Sequence, residues 1–304
     1  WGEKIPGASG SSFQILNDQY AKDSMDVYYT GKKVQGASAS SFVVLGDGYG
    51  KDSMDVFFMG KKIQGASASS FQVFPGGPYS KDFMDVYYWG EKIPGASGSS
   101  FQVLNDQYAK DSMDVYYTGK KVQGALASSF VVLGDGYAKD STDVYYTGKR
   151  VLGASASSFQ VLGNGYASDA GVTYYMGEKV VLQSSTSRLP TSGYVVDSSN
   201  VYFNGKKVEG LSSSSFKDLG DGYAKDSMDV FFMGKKIQGA SASSFQVFPG
   251  GPYSKDSMDV YYWGEKIPGA SGSSFQILND QYAKDSMDVY YTGKKVQGAS
   301  ASSF

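Results

Sequence analysis

Asp26-Val-Tyr-Tyr-Thr-Gly-Lys-Lys-Val34 is the stretch that decides the fold, because recognisable copies of it return at regular intervals along the chain. At its centre, Thr30-Gly31 forms a two-residue turn. In the copy at residues 201–208 the turn is Asn204-Gly205, the strongest short-range hairpin signal, because both central residues of a type I′ turn need a positive φ. Each copy therefore predicts one tight β-hairpin.

The two-residue loop also fixes the register of the hairpin. Tyr29 should oppose Lys32, and Tyr28 should oppose Lys33. Val27 falls on the face of the first pair, because alternate residues of a strand share a face. We therefore expect this face to be the more apolar one, although each face carries a tyrosine.

A phenylalanine that ends a serine-rich connector measures the repeat. Successive markers are 29 or 30 residues apart, except for one step of 57 that spans two repeats and in which Arg188 holds the marker position. The repeat near residues 177–205 is therefore degenerate. Residues 1–42 return unchanged as residues 263–304, so the sequence starts and stops within a repeat, and we expect a window on a longer array. The markers are Phe13, Phe42, Phe71, Phe101, Phe130, Phe159, Phe216, Phe245, Phe275 and Phe304.

Each repeat divides into four short strands separated by Gly, Asn, Asp or Pro turn signals. The small polar connector at residues 36–42 should form a single helical or 3₁₀ turn that delivers Phe42 into the core. One repeat cannot bury enough apolar surface to offset the entropy of ordering its backbone, so its neighbours must cover side chains such as Ile15. The predicted fold is all-β, with tandem 29-residue β-hairpin or meander repeats stacked as an open solenoid or superhelix. Residues 1–304 should form one continuous array of about ten repeats.

The composition excludes several classes of function. The chain has neither cysteine nor histidine, which removes disulfides, the usual zinc and copper ligand sets and any Ser-His-Asp triad. Its 28 basic and 30 acidic residues are interleaved and leave a net charge of −2, so nucleic acid is not an expected partner. No apolar run approaches the roughly 20 residues of a membrane helix. We expect no membrane span, no cofactor and no metal.

Two aspartates, Asp23 and Asp26 in the first repeat, return in almost every repeat. Two spaced carboxylates could catalyse hydrolysis of a glycosidic bond. A catalytic pair, however, occurs once in a protein, in a single cleft. A copied pair is better explained as a turn cap that accepts backbone N–H groups and pairs with Lys22 or Lys33. Gly46-Asp-Gly48 suggests a calcium loop but lacks alternating acidic ligands, so a turn is favoured. We therefore predict no catalytic residues and no enzyme activity.

The residue at the hairpin tip varies between repeats, whereas the tyrosines beside it do not. The tips should face outward and act as contact points, where apolar side chains could join one filament to another. Exposed tryptophans with nearby tyrosines could instead form a glycan-binding platform, although rows of rings more commonly serve packing. The candidate surface contacts are Trp1, Trp89, Trp263, Met59 and Met233.

These residues resemble the DKNYY repeat family of bacterial proteins. The similarity rests on Lys22-Asp23, Asp26–Tyr29 and Gly31–Lys33, and it is closest at Asn200–Lys207. The chain departs from the family pattern in having Asp for Asn in most repeats and Ala-Ser-rich connectors. The resemblance implies bacterial cell-envelope or secreted β-hairpin repeats with no established enzymatic role.

Together these features predict a structural protein that forms an extracellular or cell-surface filament or stalk. Its partner would be further copies of itself, assembled end to end or side by side. The alternative is a multivalent array that binds cell-wall polysaccharide or other glycans through many weak aromatic sites. A closed β-propeller is a third interpretation. About ten repeats with identical ends argue against it.

Overall fold

The computed structural model describes residues 4–180, 192–279 and 281–303. Within these ranges the strands form ten small antiparallel sheets, nine with four strands and one with three. Strands are consecutive within each sheet, so every sheet is a meander. The predicted all-β architecture of tandem hairpin repeats in an open arrangement is confirmed. None of the helices in the described ranges is long and apolar enough to cross a membrane.

The chain divides into two compact bodies, residues 1–152 and 153–304, here called the N-terminal and C-terminal halves. The N-terminal half contains sheets 1 to 5, whose strands are, in chain order, Gln14–Ile15, Tyr20–Lys22, Val27–Tyr29 and Lys32–Lys33; Val43–Gly46, Tyr49–Lys51, Val56–Phe58 and Lys61–Lys62; Gln72–Val73, Tyr79–Lys81, Val86–Tyr88 and Glu91–Lys92; Gln102–Val103, Tyr108–Lys110, Val115–Tyr117 and Lys120–Lys121; and Val131–Gly134, Tyr137–Lys139, Val144–Tyr146 and Lys149–Arg150.

The C-terminal half contains sheets 6 to 10, and sheet 7 is the three-stranded one. Their strands are Gln160–Gly163, Tyr166–Asp169, Val172–Tyr175 and Glu178–Val180; Tyr194–Val196, Val201–Phe203 and Lys206–Lys207; Lys217–Gly220, Tyr223–Lys225, Val230–Phe232 and Lys235–Lys236; Gln246–Val247, Tyr253–Lys255, Val260–Tyr262 and Glu265–Lys266; and Gln276–Ile277, Tyr282–Lys284, Val289–Tyr291 and Lys294–Lys295. Two connectors form 3₁₀ helices, Ser213–Ser215 and Ala301–Ser303. Arg188, in the degenerate repeat, lies outside the described residues.

The hairpin has the predicted register and turn. Tyr28 pairs with Lys33 and Tyr29 pairs with Lys32. At the tip φ is 45° for Thr30 and 77° for the glycine that follows it, as a type I′ turn requires. The same two positive φ angles occur at all ten tips, which are Thr30, Met59, Trp89, Thr118, Thr147, Met176, Asn204, Met233, Trp263 and Thr292.

The core of each half lies between consecutive sheets. Between sheets 4 and 5, Tyr108 and Val115 on one sheet pack against Ala138 and Tyr145 on the next. The connector phenylalanine, Phe130, sits between them, with its ring centroid 5.4 Å from that of Tyr108 and 5.6 Å from that of Tyr145. The connector therefore delivers its phenylalanine into the core, as predicted, and this ring lies between the two tyrosines.

Both faces of a sheet are buried by this arrangement. Tyr116, the counterpart of Tyr28 in sheet 4, lies on the face expected to be less apolar, yet it packs against sheet 3 and is as fully buried as Tyr108, which packs against sheet 5. The expectation of one more apolar face was therefore incomplete, because it treated the sheet as half-solvated. Within each half, a sheet that lies between two others instead completes one core with its front face and the neighbouring core with its back face.

The prediction that Ile15 is buried was wrong, since this side chain is 78% exposed. Ile15 lies in the first strand of sheet 1, at the position that Val44 holds in sheet 2. Val44 packs into the core between sheets 1 and 2. No sheet precedes sheet 1 in the described residues, so no corresponding core covers Ile15.

The turn glycine of sheet 4 should not tolerate a side chain. Gly119 has φ of 75°, and a Cβ atom there would lie 2.7 Å from the Cβ of Tyr88 in sheet 3. We expect Gly119→Ala to lower the local free energy of unfolding by about 2–4 kcal/mol, because backbone strain adds to overpacking. Gly124→Ala is the matched control, since Gly124 has φ of 79° but no atom within 4 Å of its Cβ position. Amide hydrogen exchange measures both, and an equal loss in the two variants would contradict the packing argument.

The threonine at the tip of sheet 4 makes its hairpin less stable than an asparagine would. Thr118 has φ of 46°, a conformation that β-branched residues rarely adopt and that asparagine tolerates. Thr118→Asn should therefore stabilise the repeat by about 0.5–1 kcal/mol. The reverse change, Asn204→Thr, should destabilise sheet 7 by a similar amount, and urea denaturation of the full chain compares the two. A rise in stability on Asn204→Thr would refute the explanation.

Candidate functional site

One buried aspartate in each repeat ties the preceding connector to the sheet. In sheet 4 this residue is Asp111, whose Oδ1 accepts the backbone N–H groups of Met113 at 2.8 Å and Asp114 at 2.7 Å. Its Oδ2 accepts the Ser97 N–H of the connector at 3.0 Å and the Tyr116 hydroxyl at 2.9 Å. The inner aspartates, as we call this set, are 2–6% exposed and comprise Asp23, Asp52, Asp82, Asp111, Asp140, Asp169, Asp197, Asp226, Asp256 and Asp285.

These contacts fix the protonation states of the inner aspartate and its tyrosine. Burial would raise the pKa of Asp111, but the N–H groups of Ser97, Asp114 and Met113 outweigh it and lower the pKa below its usual range. Burial raises the pKa of Tyr116, and the hydrogen bond and charge of Asp111 raise it further. The carboxylate thus stays ionised and the phenol protonated near neutral pH. Groups held this firmly in one state are poorly suited to proton transfer.

The second aspartate of the pair has a different environment. Asp114 forms an exposed ion pair with Lys121, with 2.8 Å between Nζ and Oδ1. Lys110, which precedes the inner aspartate, donates instead to the carbonyl oxygen of Ala127 in the following connector at 2.9 Å. Of the two lysines predicted to pair with aspartate, the one in the last strand does so and the other holds a connector. The repeated carboxylates are thus a turn cap and a surface ion pair.

Within each half, tyrosine hydroxyls join a sheet to the turns of the next sheet. In sheet 3 the Tyr79 hydroxyl donates to the Gln107 carbonyl at 2.9 Å and accepts the Gly119 N–H at 3.3 Å. In the C-terminal half, the hydroxyl of Tyr166 likewise donates to Gly193 at 3.2 Å and accepts from Gly205 at 2.8 Å. Buried phenols therefore satisfy backbone groups that would otherwise lack partners.

The Gly-Asp-Gly segments are turns that bond to the next repeat. Asp47, with φ of 48°, lies between two glycines of positive φ, and its Oδ2 accepts the Gly76 N–H at 3.1 Å. Asp221 contacts Gly250 in the same way at 3.0 Å. Among the described residues, no group of three or more acidic, histidine or cysteine side chains is placed to hold a metal.

The hairpin tips of sheets 8 and 9 enclose a groove of about 460 Å³. The indole ring of Trp263 lies 6.1 Å from the Phe232 ring at an angle of 39°, and 6.4 Å from the Tyr262 ring at 75°. Two rings therefore hold the indole in place, yet it remains 48% exposed. The groove is lined by Phe232, Met233, Lys235, Lys236, Trp263 and Glu265.

The tips of sheets 2 and 3 repeat this arrangement in the N-terminal half. Residues 51–82 and 84–102 recur unchanged as residues 225–256 and 258–276, so every residue that lines the groove of sheets 8 and 9 has an identical counterpart in sheets 2 and 3. The rings of Phe58 and Trp89 are again 6.1 Å apart at 39°, and Trp89 is again 48% exposed. We call both places tip grooves.

The structure brings together four of the predicted surface contacts as two pairs. Met59 and Trp89 are neighbouring tips in one half, and Met233 and Trp263 are neighbouring tips in the other. Trp1 lies outside the described residues. Sequence reasoning missed Lys235 and Glu265 as groove residues. A sequence signal for the glutamate was present, because Gly-Glu-Lys replaces the more common Gly-Lys-Lys wherever the tip is tryptophan.

Comparison with known families bears on the whole array. A model of the DKNYY family matches residues 20–149, 79–187 and 194–304, three stretches that together span most of the chain. No curated protein matches this chain. The matched stretches contain the hairpins, the inner aspartates and both tip grooves. The chain therefore belongs to the DKNYY family.

Proposed function

We propose that this protein is a structural repeat protein that forms an extracellular or cell-surface filament or stalk. The observation that carries the proposal is the burial of both sheet faces by neighbouring repeats. Because each core needs residues from two consecutive sheets, added repeats extend the fold without changing it. Such an array can span distance, which a compact domain cannot do.

Two sets of contacts support a mechanical role. The inner aspartate holds the connector before its sheet, whereas the lysine beside it holds the connector after that sheet. Tyrosine hydroxyls join neighbouring sheets through backbone groups rather than through mobile side chains. A stretching force along such an array would be opposed by hydrogen bonds and packed aromatic side chains in every repeat.

The shape of the full chain in solution tests the scaffold function. Small-angle scattering and electron micrographs should show an elongated particle, whose length increases in proportion when further copies of one complete repeat, residues 51–80, are inserted after residue 80. Particles whose radius grows only with the cube root of mass would contradict a filament or stalk. Protease treatment of intact producing cells should remove the protein if it lies outside the cell.

Self-association is tested separately by sedimentation at increasing protein concentration. If the filament is built from several copies, the sedimentation coefficient should rise with concentration as the copies join. A coefficient that stays constant over the whole range of concentrations would exclude assembly from several copies.

A further inference from the structure

We infer that each tip groove binds a sugar ring of a neutral polysaccharide, with the ring stacked on its tryptophan. This inference goes beyond the scaffold function and does not depend on it. It rests on three features: a fixed aromatic surface, a polar rim of both charges, and the presence of one such groove in each half.

The aromatic surface is large, rigid and open to solvent. Trp263 lies on a two-residue turn with φ of 47°, and Phe232 and Tyr262 support its ring at 6.1 and 6.4 Å. A ligand that binds there therefore costs little side-chain entropy. The half-exposed indole in each groove also exposes more apolar surface than the fold requires. Other repeats form the same hairpin with threonine at this position.

The rim offers hydrogen-bond donors and an acceptor beside the indole. Lys235, Lys236 and Glu265 are all exposed and line the groove. Lys236 Nζ also contacts Asp229 at 2.7 Å, which holds one donor in a fixed direction. Sugar rings combine an apolar C–H face with hydroxyl groups around the edge, and such a ligand matches an aromatic floor with polar groups beside it.

The charges of the rim select against other ligands. The two lysines are balanced by Glu265 and by Asp229, which pairs with Lys236, so no excess of either charge favours a polyanion or a polycation at the groove. The groove volume of about 460 Å³ lies within the range of small-ligand sites, roughly 300–1,000 Å³. One or two hexopyranose units fill such a space, so a neutral hexose polymer is the class that fits.

The second groove, at Phe58 and Trp89, has the same ring geometry. A polymer offers many copies of one sugar unit to these two sites, so a groove that releases one unit can bind the next unit along the same polymer. We therefore expect weak binding of monosaccharides and clear retention by long polysaccharides.

The test uses affinity electrophoresis of the full chain in gels that contain a soluble β-glucan, an α-mannan or a galactan, followed by tryptophan-fluorescence titration with the polymer that retains it. The double variant Trp89→Asn, Trp263→Asn removes both indoles, and asparagine suits the positive φ of the tip. We expect at least about a tenfold loss of affinity in the double variant and a smaller loss in each single variant.

The matched control carries the same substitution at tips outside the grooves, Thr118→Asn with Thr292→Asn, and should bind as the unmodified chain does. Thermal melting monitored by circular dichroism shows whether each variant is folded. Absence of retention by all three polymers would overturn the inference, as would retention of the double variant at full strength. If the double variant instead abolishes only self-association in sedimentation, the tips are contacts between copies and the inference is wrong.

Discussion

Replacing Asp111 by alanine is expected to lower the local free energy of unfolding around sheet 4 by about 3–5 kcal/mol, the largest effect of any single carboxylate there. The change leaves three backbone N–H groups and the Tyr116 hydroxyl without their acceptor. These donors are buried or half-buried, so water replaces the lost hydrogen bonds only in part. Amide hydrogen exchange of the full chain over residues 97–121 measures the loss.

The matched control is the other aspartate of the same pair. Asp114→Ala removes only an exposed ion pair with Lys121, and such pairs contribute about 0–1 kcal/mol. The two variants differ by three positions and remove the same carboxylate, yet their effects should differ several-fold. Equal losses would show that the inner aspartate does not hold the connector.

A second large loss of folding stability is expected at alkaline pH. Burial raises the pKa of Tyr20, Tyr108 and Tyr166 to about 12, whereas an unfolded tyrosine titrates near pH 10, as a rough reference value. Because the pKa is raised in the folded state, the stabilisation is complete below about pH 10 and is lost as the pH rises through about 12. Each such tyrosine then costs the folded state roughly 3 kcal/mol.

Because every repeat buries at least one tyrosine of this kind, the losses add along the array. We expect cooperative unfolding below about pH 12, seen as a simultaneous change in tyrosinate absorbance and circular dichroism. Tyr108→Phe removes one ionising group and should reduce the stability lost between neutral pH and about pH 11. A gradual tyrosinate titration centred near pH 10, with the dichroism of the folded state intact, would refute the prediction.

Much of the structure of one repeat could be predicted from the sequence, because the residues that determine it lie close together in the chain. The two-residue turn fixed the pairing of Tyr28 with Lys33, since loop length and the alternation of side chains leave one register. The aspartate after Lys22 was correctly assigned to a turn cap, because a carboxylate can reach the N–H groups two and three residues ahead. Its other bonds, to a connector serine 14 residues earlier and to a tyrosine, were not foreseen.

The candidate site was predictable only as separate residues. Met59, Trp89, Met233 and Trp263 stood out as varied, apolar tips, but nothing in the linear order of tips showed that neighbouring tips share a groove. That pairing depends on the distance between consecutive sheets, which the connector phenylalanine sets. Glu265 became relevant only once Trp263 and Phe232 were seen to form the aromatic wall beside it.

The sequence by itself determined the period, the hairpin, its turn type and register, and the family, because each depends on residues within one repeat or on their recurrence. Only the tertiary structure decided which face meets which neighbour. It buried Tyr28, left Ile15 exposed, and inserted Phe130 between Tyr108 and Tyr145. The physical reason is that alternation assigns a side chain to a face, whereas burial depends on what the next sheet brings against that face.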